Sequence, residues 1–279
     1  MKFLVLLVFL TSTAFASYSE MSALNQSKTT GSFFLLGDRN VFRNPALIEQ
    51  VGDKIYLESA GEMGRSYGDL LLAIGRKVNG KSAIDMVLGD LDVLDIDFAL
   101  GAYIQPFNGK GIAGAGVTLG MEYEDLELYL GAGDLTNHVK FTIGTVVPWK
   151  NIWGVDKMSL YAQYAELQAG HDLIVGAALE KIVMTKVAMF ADLKYEDMNK
   201  VDSLALTVGG KTMLSESWVV SASGKKEVYF GTAFRLGTGV DYYANKDVKL
   251  SLAGSASALD LPSPKYKDFD INFGISLAI

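Results

Sequence analysis

From Lys54 to its last residue, the chain alternates apolar side chains with polar or small ones. The final segment shows this most clearly, because Phe269, Ile271, Phe273, Ile275, Leu277 and Ile279 are separated by Asp268, Asp270, Asn272, Gly274, Ser276 and Ala278. Successive side chains of a β-strand point to opposite faces of the sheet, so each such run predicts a strand with one apolar face. A helix would not keep this parity, and the pattern therefore predicts an all-β protein.

The length of the runs favours a membrane barrel over a soluble β-sandwich, which also alternates and is cut by turns. Several runs reach 11 to 15 residues, whereas strands of soluble sheets have a mode of about 5 to 6 and tilted membrane strands need about 9 to 11. Unpaired strand edges are costly in lipid, so a spanning sheet has to close on itself. We expect an antiparallel transmembrane β-barrel of about 14 strands, with 12 as the fallback if the weak runs at 54–62 and 217–224 are misread.

The beginning of the chain has the pattern of an exported protein. Lys2 is followed by an apolar run from Phe3 to Leu10 and by Ala14-Phe15-Ala16, which predicts a signal peptide over 1–16 that is cleaved after Ala16. Residues 17–30 are polar and small, which is typical of a mobile leader, and residues 31–53 are irregular with apolar patches. The barrel is then expected over 54–279, in a Gram-negative outer membrane.

Composition removes several functional classes. The chain has no cysteine and only two histidines, so thiolate chemistry is absent and we expect no enzyme, no metal site and no cofactor. The formal net charge of -7 and pI near 4.9 argue against a nucleic-acid partner.

Charged residues on the face opposite the apolar one are the candidates for a lumen lining. If the apolar face meets lipid, nine of them point inward and lean acidic: Asp95, Asp97, Glu122, Glu127, Asp192, Lys194, Arg235, Asp241 and Lys249. Such a lining could select ions or the polar parts of a solute. The alternative is a satisfied internal network that closes the lumen.

The stretch GDRNVFRNPALIE at 37–49 resembles the N-terminal region of the FadL-type long-chain fatty-acid transporters of the outer membrane. That family has an Asn-Pro-Ala element ahead of its first strand, and here Asn44, Pro45 and Ala46 stand about ten residues before the predicted one. The resemblance implies a fourteen-stranded barrel in which a plug-like segment, here 31–53, fills the lumen, and a small hydrophobic or amphipathic ligand. The chain is short for that family, leaving little length for loops that would capture a substrate.

Three functions follow from these features. The first is a channel or transporter for small hydrophobic or amphipathic molecules. The second is a non-transport barrel that serves as an anchor or assembly partner for envelope proteins, which the shortness of the loops favours. A general porin ranks below both, because only residues 78–92 are long enough for a constricting loop. The expected partners are outer-membrane lipid, a small hydrophobic ligand and an envelope protein.

Overall fold

The fold is a closed, antiparallel β-barrel, seen in a computed structural model. The structure describes residues 21, 23–24, 32–33, 35, 38–59, 61–78, 80–91, 96–106, 112–135, 139–152, 154–167, 170–183, 186–198, 201–227, 234–258 and 266–279. The signal peptide predicted over 1–16 lies outside these residues, as does Asp95. No helix in the described part of the chain has the length and hydropathy needed to cross a membrane.

The described residues form sixteen strands, each hydrogen-bonded to its neighbours in the chain, and β1 pairs with β16 to close the barrel. Their bounds are β1 Lys54–Glu58, β2 Glu62–Tyr67, β3 Leu70–Val78, β4 Lys81–Leu88, β5 Asp97–Gln105, β6 Gly114–Tyr123, β7 Leu126–Gly133, β8 Lys140–Ile152, β9 Val155–Leu167, β10 Gly170–Val183, β11 Val187–Met198, β12 Val201–Ser215, β13 Trp218–Glu227, β14 Phe234–Tyr243, β15 Val248–Ala258 and β16 Tyr266–Ala278.

The predicted count of 14 strands is too low by two, and the fallback of 12 is too low by four. The run at 54–62 ends early, because the chain turns at Gly61 and starts β2, and residues 78–92 contain β4 rather than a long connection. Gly61 and Gly80 both have φ +77, a left-handed conformation that glycine adopts without strain and that tight turns need. Turns this short leave no polar stretch in the sequence to separate one strand from the next.

The two faces of the barrel differ as the alternation predicts. On β10, Val175 and Leu179 are exposed on the outside while Ile174 and Ala178 are buried. Across the closing seam, Ile55 of β1 lies opposite Leu277 of β16, and both are exposed. The outer face is therefore an apolar surface.

Residues ahead of β1 lie against the inside of this wall. Asp38–Phe42 and Pro45–Gln50 form two short 3-10 helices, and the second packs on β4, β5 and β6. The described residues of 31–53 thus contain two short 3-10 helices inside the barrel, and no helical plug is evident among them. Of the leader predicted over 17–30, only Met21, Ala23 and Leu24 are described, and all three are buried.

Two apolar clusters join this inner chain to the wall. One gathers residues of the inner chain and of β8 to β11: Leu24, Leu35, Val146, Tyr161, Ile174, Ala178 and Phe190. The other gathers residues of the 3-10 helices and of β1, β3 and β4: Val41, Ile48, Val51, Tyr56, Leu71, Ala73 and Val87. The core of the molecule is therefore inside the barrel.

Candidate functional site: the segment inside the barrel

The Asn-Pro-Ala element begins the second 3-10 helix. Asn44 is the N-cap, with extended φ -124 and ψ 102, and its side-chain oxygen accepts a hydrogen bond from the Ala46 amide at 3.3 Å. Pro45 follows at the first helical position, where its missing N–H is not needed. The side-chain nitrogen of Asn44 donates to the Met121 carbonyl on β6 at 3.4 Å. The element therefore both starts a helix and contacts the wall.

Two glycines of the wall leave room for this contact. A Cβ added to Gly101 on β5 would lie 2.9 Å from Pro45 Cγ, and one added to Gly120 on β6 would lie 2.7 Å from the Ala46 nitrogen. These distances are below van der Waals contact. Only glycine fits at either position while Asn44, Pro45 and Ala46 stay where they are.

Arg39 forms a buried, bidentate ion pair with Glu62 of β2. One guanidinium nitrogen donates to each carboxylate oxygen, one of them at 2.8 Å, and the exposed fractions of the two side chains are 3% and 1%. The Tyr56 hydroxyl donates to the same carboxylate at 3.2 Å. Burial lowers the pKa of Arg39, but the charge of Glu62 and the hydrogen bonds to it outweigh burial, so its pKa lies above the ordinary value and the guanidinium stays charged.

A second arginine, Arg43, lies between the two 3-10 helices and also forms an ion pair with the wall. It pairs with Glu127 of β7 at 2.7 Å and also donates to the Ser32 carbonyl. Its guanidinium lies over the ring of Phe33, 4.8 Å from the centroid. Phe33 in turn stacks on Tyr161 of β9, with centroids 4.5 Å apart and planes 6° apart. Arg43 thus joins the segment to β7 and, through Phe33, to the apolar cluster around Tyr161.

A third arginine belongs to the wall itself. Arg76 of β3 pairs with Asp85 of β4, its Nε donating at 3.0 Å. The Phe42 ring lies between two guanidinium groups, with that of Arg76 4.6 Å and that of Arg39 5.1 Å from its centroid. Cation–π contacts of this kind are stronger when the charged group is buried, and both arginines are buried.

None of Arg39, Arg43, Glu62, Arg76 and Asp85 was among the residues that the sequence singled out. The signal available was the pair Arg39 and Arg43, four residues apart in a segment with apolar patches. Charged side chains in such surroundings are found paired. Their partners on the wall are far away in sequence and carry no local mark.

Four of the predicted lumen residues lie in side-chain contacts on the inside of the barrel. Glu127 pairs with Arg43 at 2.7 Å, and Asp192, which is buried, accepts a hydrogen bond from the Tyr161 hydroxyl at 2.5 Å. Lys194 pairs with Glu196 at 2.7 Å on the same strand. Arg235 donates to the Ser255 hydroxyl at 3.0 Å.

The others are spread around the barrel. Glu122 lies directly opposite Asp97 on β5 and Glu127 on β7, so three carboxylates meet near the end of the barrel where β1 begins. Asp241 lies on β14 opposite Val219 of β13, and Lys249 lies on β15. The eight of these residues that the structure describes therefore do not form one site, and whether the nine select a solute stays a prediction.

Two small cavities lie on opposite sides of Phe42. The first, of about 20 Å³, lies between Arg39 and Phe42 on one side and strands β1, β3, β15 and β16 on the other. The residues of these strands that line it are Tyr56, Glu58, Leu71, Lys249, Ser251, Gly274, Ile275 and Ser276. The second, also of about 20 Å³, lies between Val41, Phe42 and Pro45 and the wall residues Arg76, Asp85, Val87, Gly101, Ala102, Tyr103 and Thr118. Each has room for about one water molecule.

No family model matches the chain, and no curated protein matches it. Among solved structures, it is similar to a bacterial polysaccharide outer membrane secretin, with TM-score 0.52, 10% identity and coverage of 81% of this chain and 91% of that one. It is also similar to OccK3 of Pseudomonas aeruginosa, with TM-score 0.51, 11% identity and coverage of 77% and 78%. A third match is OccD3 of the same organism, with TM-score 0.50, 9% identity and coverage of 77% and 76%.

These likenesses correct the FadL-type resemblance. The similar structures are a secretin and Occ proteins rather than FadL-type transporters, and the barrel has sixteen strands where that family has fourteen. The Asn-Pro-Ala element misled because its geometry has a local cause, a capped helical turn packed on two glycines. The chain is an all-β, antiparallel closed barrel whose fold is shared with outer-membrane barrels.

Proposed function

We propose that this protein is an outer-membrane channel for small solutes whose lumen is occupied at rest by its own residues ahead of β1. The observation that carries the proposal is the placement of Arg39, Arg43 and Asn44 inside a closed barrel, each bonded to a different strand of the wall. A barrel with an apolar outer face and an occupied lumen suits a channel in which the residues inside the lumen have to move before a solute can pass. The likeness to Occ proteins and a secretin supports an outer-membrane location.

The proposal names no hydrophobic cargo. Support for a hydrophobic or amphipathic ligand came from the FadL-type resemblance, which the fold contradicts. The inner wall carries hydroxyl and charged groups, among them Ser221, Ser251, Lys194 and Arg235. This chemistry fits hydrophilic solutes, and outer-membrane lipid is the expected partner of the apolar outer face.

Bilayer conductance tests the proposal directly. The full chain, reconstituted in planar bilayers, is expected to show low or intermittent conductance, and a variant that lacks residues 31–53 is expected to show a steady conductance several-fold higher. Equal conductance of the two proteins would contradict an occluding role for the segment.

Because the deletion removes partners of Glu62 and Glu127, a milder variant is needed beside it. Arg43→Gln keeps the length of the chain and breaks a single ion pair with the wall. It is expected to loosen the segment and so to raise the resting conductance while the barrel stays folded, as judged by its resistance to SDS without heating. Lys150→Gln is the matched control, since it breaks an exposed pair with Asp125 outside the lumen.

A second function, an anchor or assembly partner for envelope proteins, is favoured by the same occupied lumen. A barrel filled by buried contacts such as Phe33 on Tyr161 does not need to open in order to present its rims to a partner. Purification from native membranes under mild detergent tests this alternative. A stoichiometric protein partner, together with no conductance from the 31–53 deletion, would favour it over the channel.

A further inference from the structure

Phe42 divides the space around the inner segment into two sides. On one side, the segment meets β4, β5 and β6 across the cavity that Thr118 and Gly101 line. On the other side, Arg39 and Phe42 face β15 and β16 across the cavity that Ser251 and Ser276 line. Each side holds a cavity of about 20 Å³, and the two sides differ in how the segment is attached.

The β4–β6 side is held by close packing and by polar contacts. Pro45 lies against Gly101 with no room for a Cβ, and Asn44 donates to the Met121 carbonyl at 3.4 Å. Next to these contacts, Arg43 pairs with Glu127 on β7. Separating a buried ion pair leaves an uncompensated charge, which is strongly unfavourable. Movement of the segment away from this wall would break all of these contacts together.

The β15–β16 side presents a different surface. The strands β15 and β16 contribute small hydroxyl groups and one long amine to this wall, namely Ser251, Ser276 and Lys249, and Gly274 lies opposite Ser251. The lining is completed by Tyr56, Glu58, Leu71 and Ile275. Short side chains and a flexible lysine stem can shift without breaking a packed apolar contact. Widening the space on this side therefore requires less rearrangement than widening it on the other.

From this asymmetry we infer that residues 39–48 stay attached to β2 and β4–β7 when a solute passes, and that the path runs between Phe42 and the β15–β16 wall. The inference rests on the proposed channel function and adds the route and the kind of solute. The lining of Ser251, Ser276, Lys249 and Glu58 suits small hydrophilic solutes, which exchange hydrogen bonds with hydroxyl and charged groups as they move.

A disulfide between the segment and the β5 wall tests whether the segment stays attached. The Pro45 Cβ lies 3.7 Å from the Cβ position of Gly101, within the range of about 3.5 to 4.5 Å for disulfides. The close contact of Gly101 is with Pro45 Cγ, an atom that Pro45→Cys removes. The chain has no native cysteine, so Pro45→Cys with Gly101→Cys forms a single defined bridge.

The oxidised and the reduced double variant are expected to conduct equally. A several-fold loss of conductance on oxidation that dithiothreitol restores would show that the segment has to leave this wall, and would overturn the inference. The Pro45→Cys single variant is the control, because it keeps Gly101 and can form no bridge within the chain.

Cysteine labelling tests the route without depending on conductance. Ser251→Cys and Thr118→Cys place one thiol in each cavity, and a charged, membrane-impermeant methanethiosulfonate reagent is added to the full-length protein in vesicles. Ser251 is buried, at 5% exposure, whereas Thr118 is half-buried, so exposure in the closed structure predicts faster labelling at position 118. Passage along β15–β16 predicts the reverse order.

Labelling several-fold faster at position 251 than at 118 supports the inference, and equal or slower labelling overturns it. Where the channel conducts, modification at position 251 is also expected to reduce the current, and modification at 118 to leave it unchanged. If no variant conducts, including the 31–53 deletion, the proposed channel function fails. The labelling order still decides which side of Phe42 opens.

Discussion

At the scale of single residues, the inside of the barrel depends on charges that are paired without water. Glu62 is 1% exposed and accepts from both Arg39 and Tyr56. A buried pair of this kind adds little stability compared with apolar residues of the same size, but losing one partner is costly. The inner segment is therefore sensitive to the loss of a single carboxylate.

Glu62→Gln is expected to lower the free energy of unfolding by about 3 to 5 kcal/mol, because it removes the carboxylate that forms the bidentate pair with the buried Arg39. Urea titration of the protein folded in lipid vesicles measures the change. Asp125→Asn is the matched control, since Asp125 and Lys150 are both more than half exposed and such pairs contribute about 0 to 1 kcal/mol. Equal effects of the two substitutions would contradict the buried pair.

Gly120→Ala tests the contact between the wall and the Asn-Pro-Ala element. Its Cβ would lie 2.7 Å from the Ala46 nitrogen and 2.8 Å from Pro45 Cδ, so the turn has to shift, at a cost of about 1 to 3 kcal/mol. Gly131→Ala on β7 is the control, because the nearest atom to its Cβ would be Thr118 Oγ1 at an ordinary 3.4 Å. Unfolding free energies that do not differ between the two variants would rule out the tight contact at Gly120.

At the scale of elements, strands were predictable from the sequence and several of their boundaries were not. Long strands such as β10 and β12, of 14 and 15 residues, are visible because their parity persists. The β1–β2 hairpin is not, since strands of 5 and 6 residues joined by a glycine turn look like one run. In β4 the inward side carries Ala83 and Val87 beside Lys81 and Asp85, so apolar residues occur on both faces and the alternation is weaker.

The turn between β3 and β4 offers a test of the hairpin that these two strands form. Gly80 has φ +77 and precedes Lys81, the first residue of the strand. Gly80→Ala would place a Cβ in the left-handed region, at a cost of about 1 to 2 kcal/mol. Gly254→Ala is the control, because its Cβ would meet only the Asp270 carbonyl at 3.5 Å. The comparison is made by unfolding in urea, and a Gly80 variant as stable as the control would contradict the turn.

The contacts of the candidate site also divide into local ones, which the sequence predicts, and long-range ones, which it does not. Asn44 and Pro45 could be recognised from sequence as a turn, because capping and the fixed φ of proline are local properties. The partners of Arg39 and Arg43 could not, since Glu62 and Glu127 lie 23 and 84 residues away along the chain. Such pairs form only once the barrel has closed.

At the scale of the whole molecule, the distribution of side chains is the reverse of that in a soluble protein, with apolar side chains on the outside and charged ones inside. Large apolar side chains such as Leu252, Ile271 and Phe273 are more than half exposed on the outer face, while charged groups such as Glu62 and Asp85 are buried within. Patches of this extent are not found on soluble monomers. In a bilayer the outer face needs no further partner, because lipid tails are apolar.

An apolar outer face in lipid predicts that the cost of placing a charge on it depends on how deep the residue lies in the bilayer. Val175 lies near the middle of β10 and Val183 at its end, both on the outer face and both exposed. An arginine costs about 2 to 4 kcal/mol at the midplane of a bilayer and about 0 to 1 kcal/mol near the interface. Val175→Arg is therefore expected to destabilise the barrel in vesicles by about 1 to 4 kcal/mol more than Val183→Arg, measured by unfolding in urea. If the outer face were solvated, neither arginine would meet hydrocarbon, and the two variants would unfold at the same urea concentration.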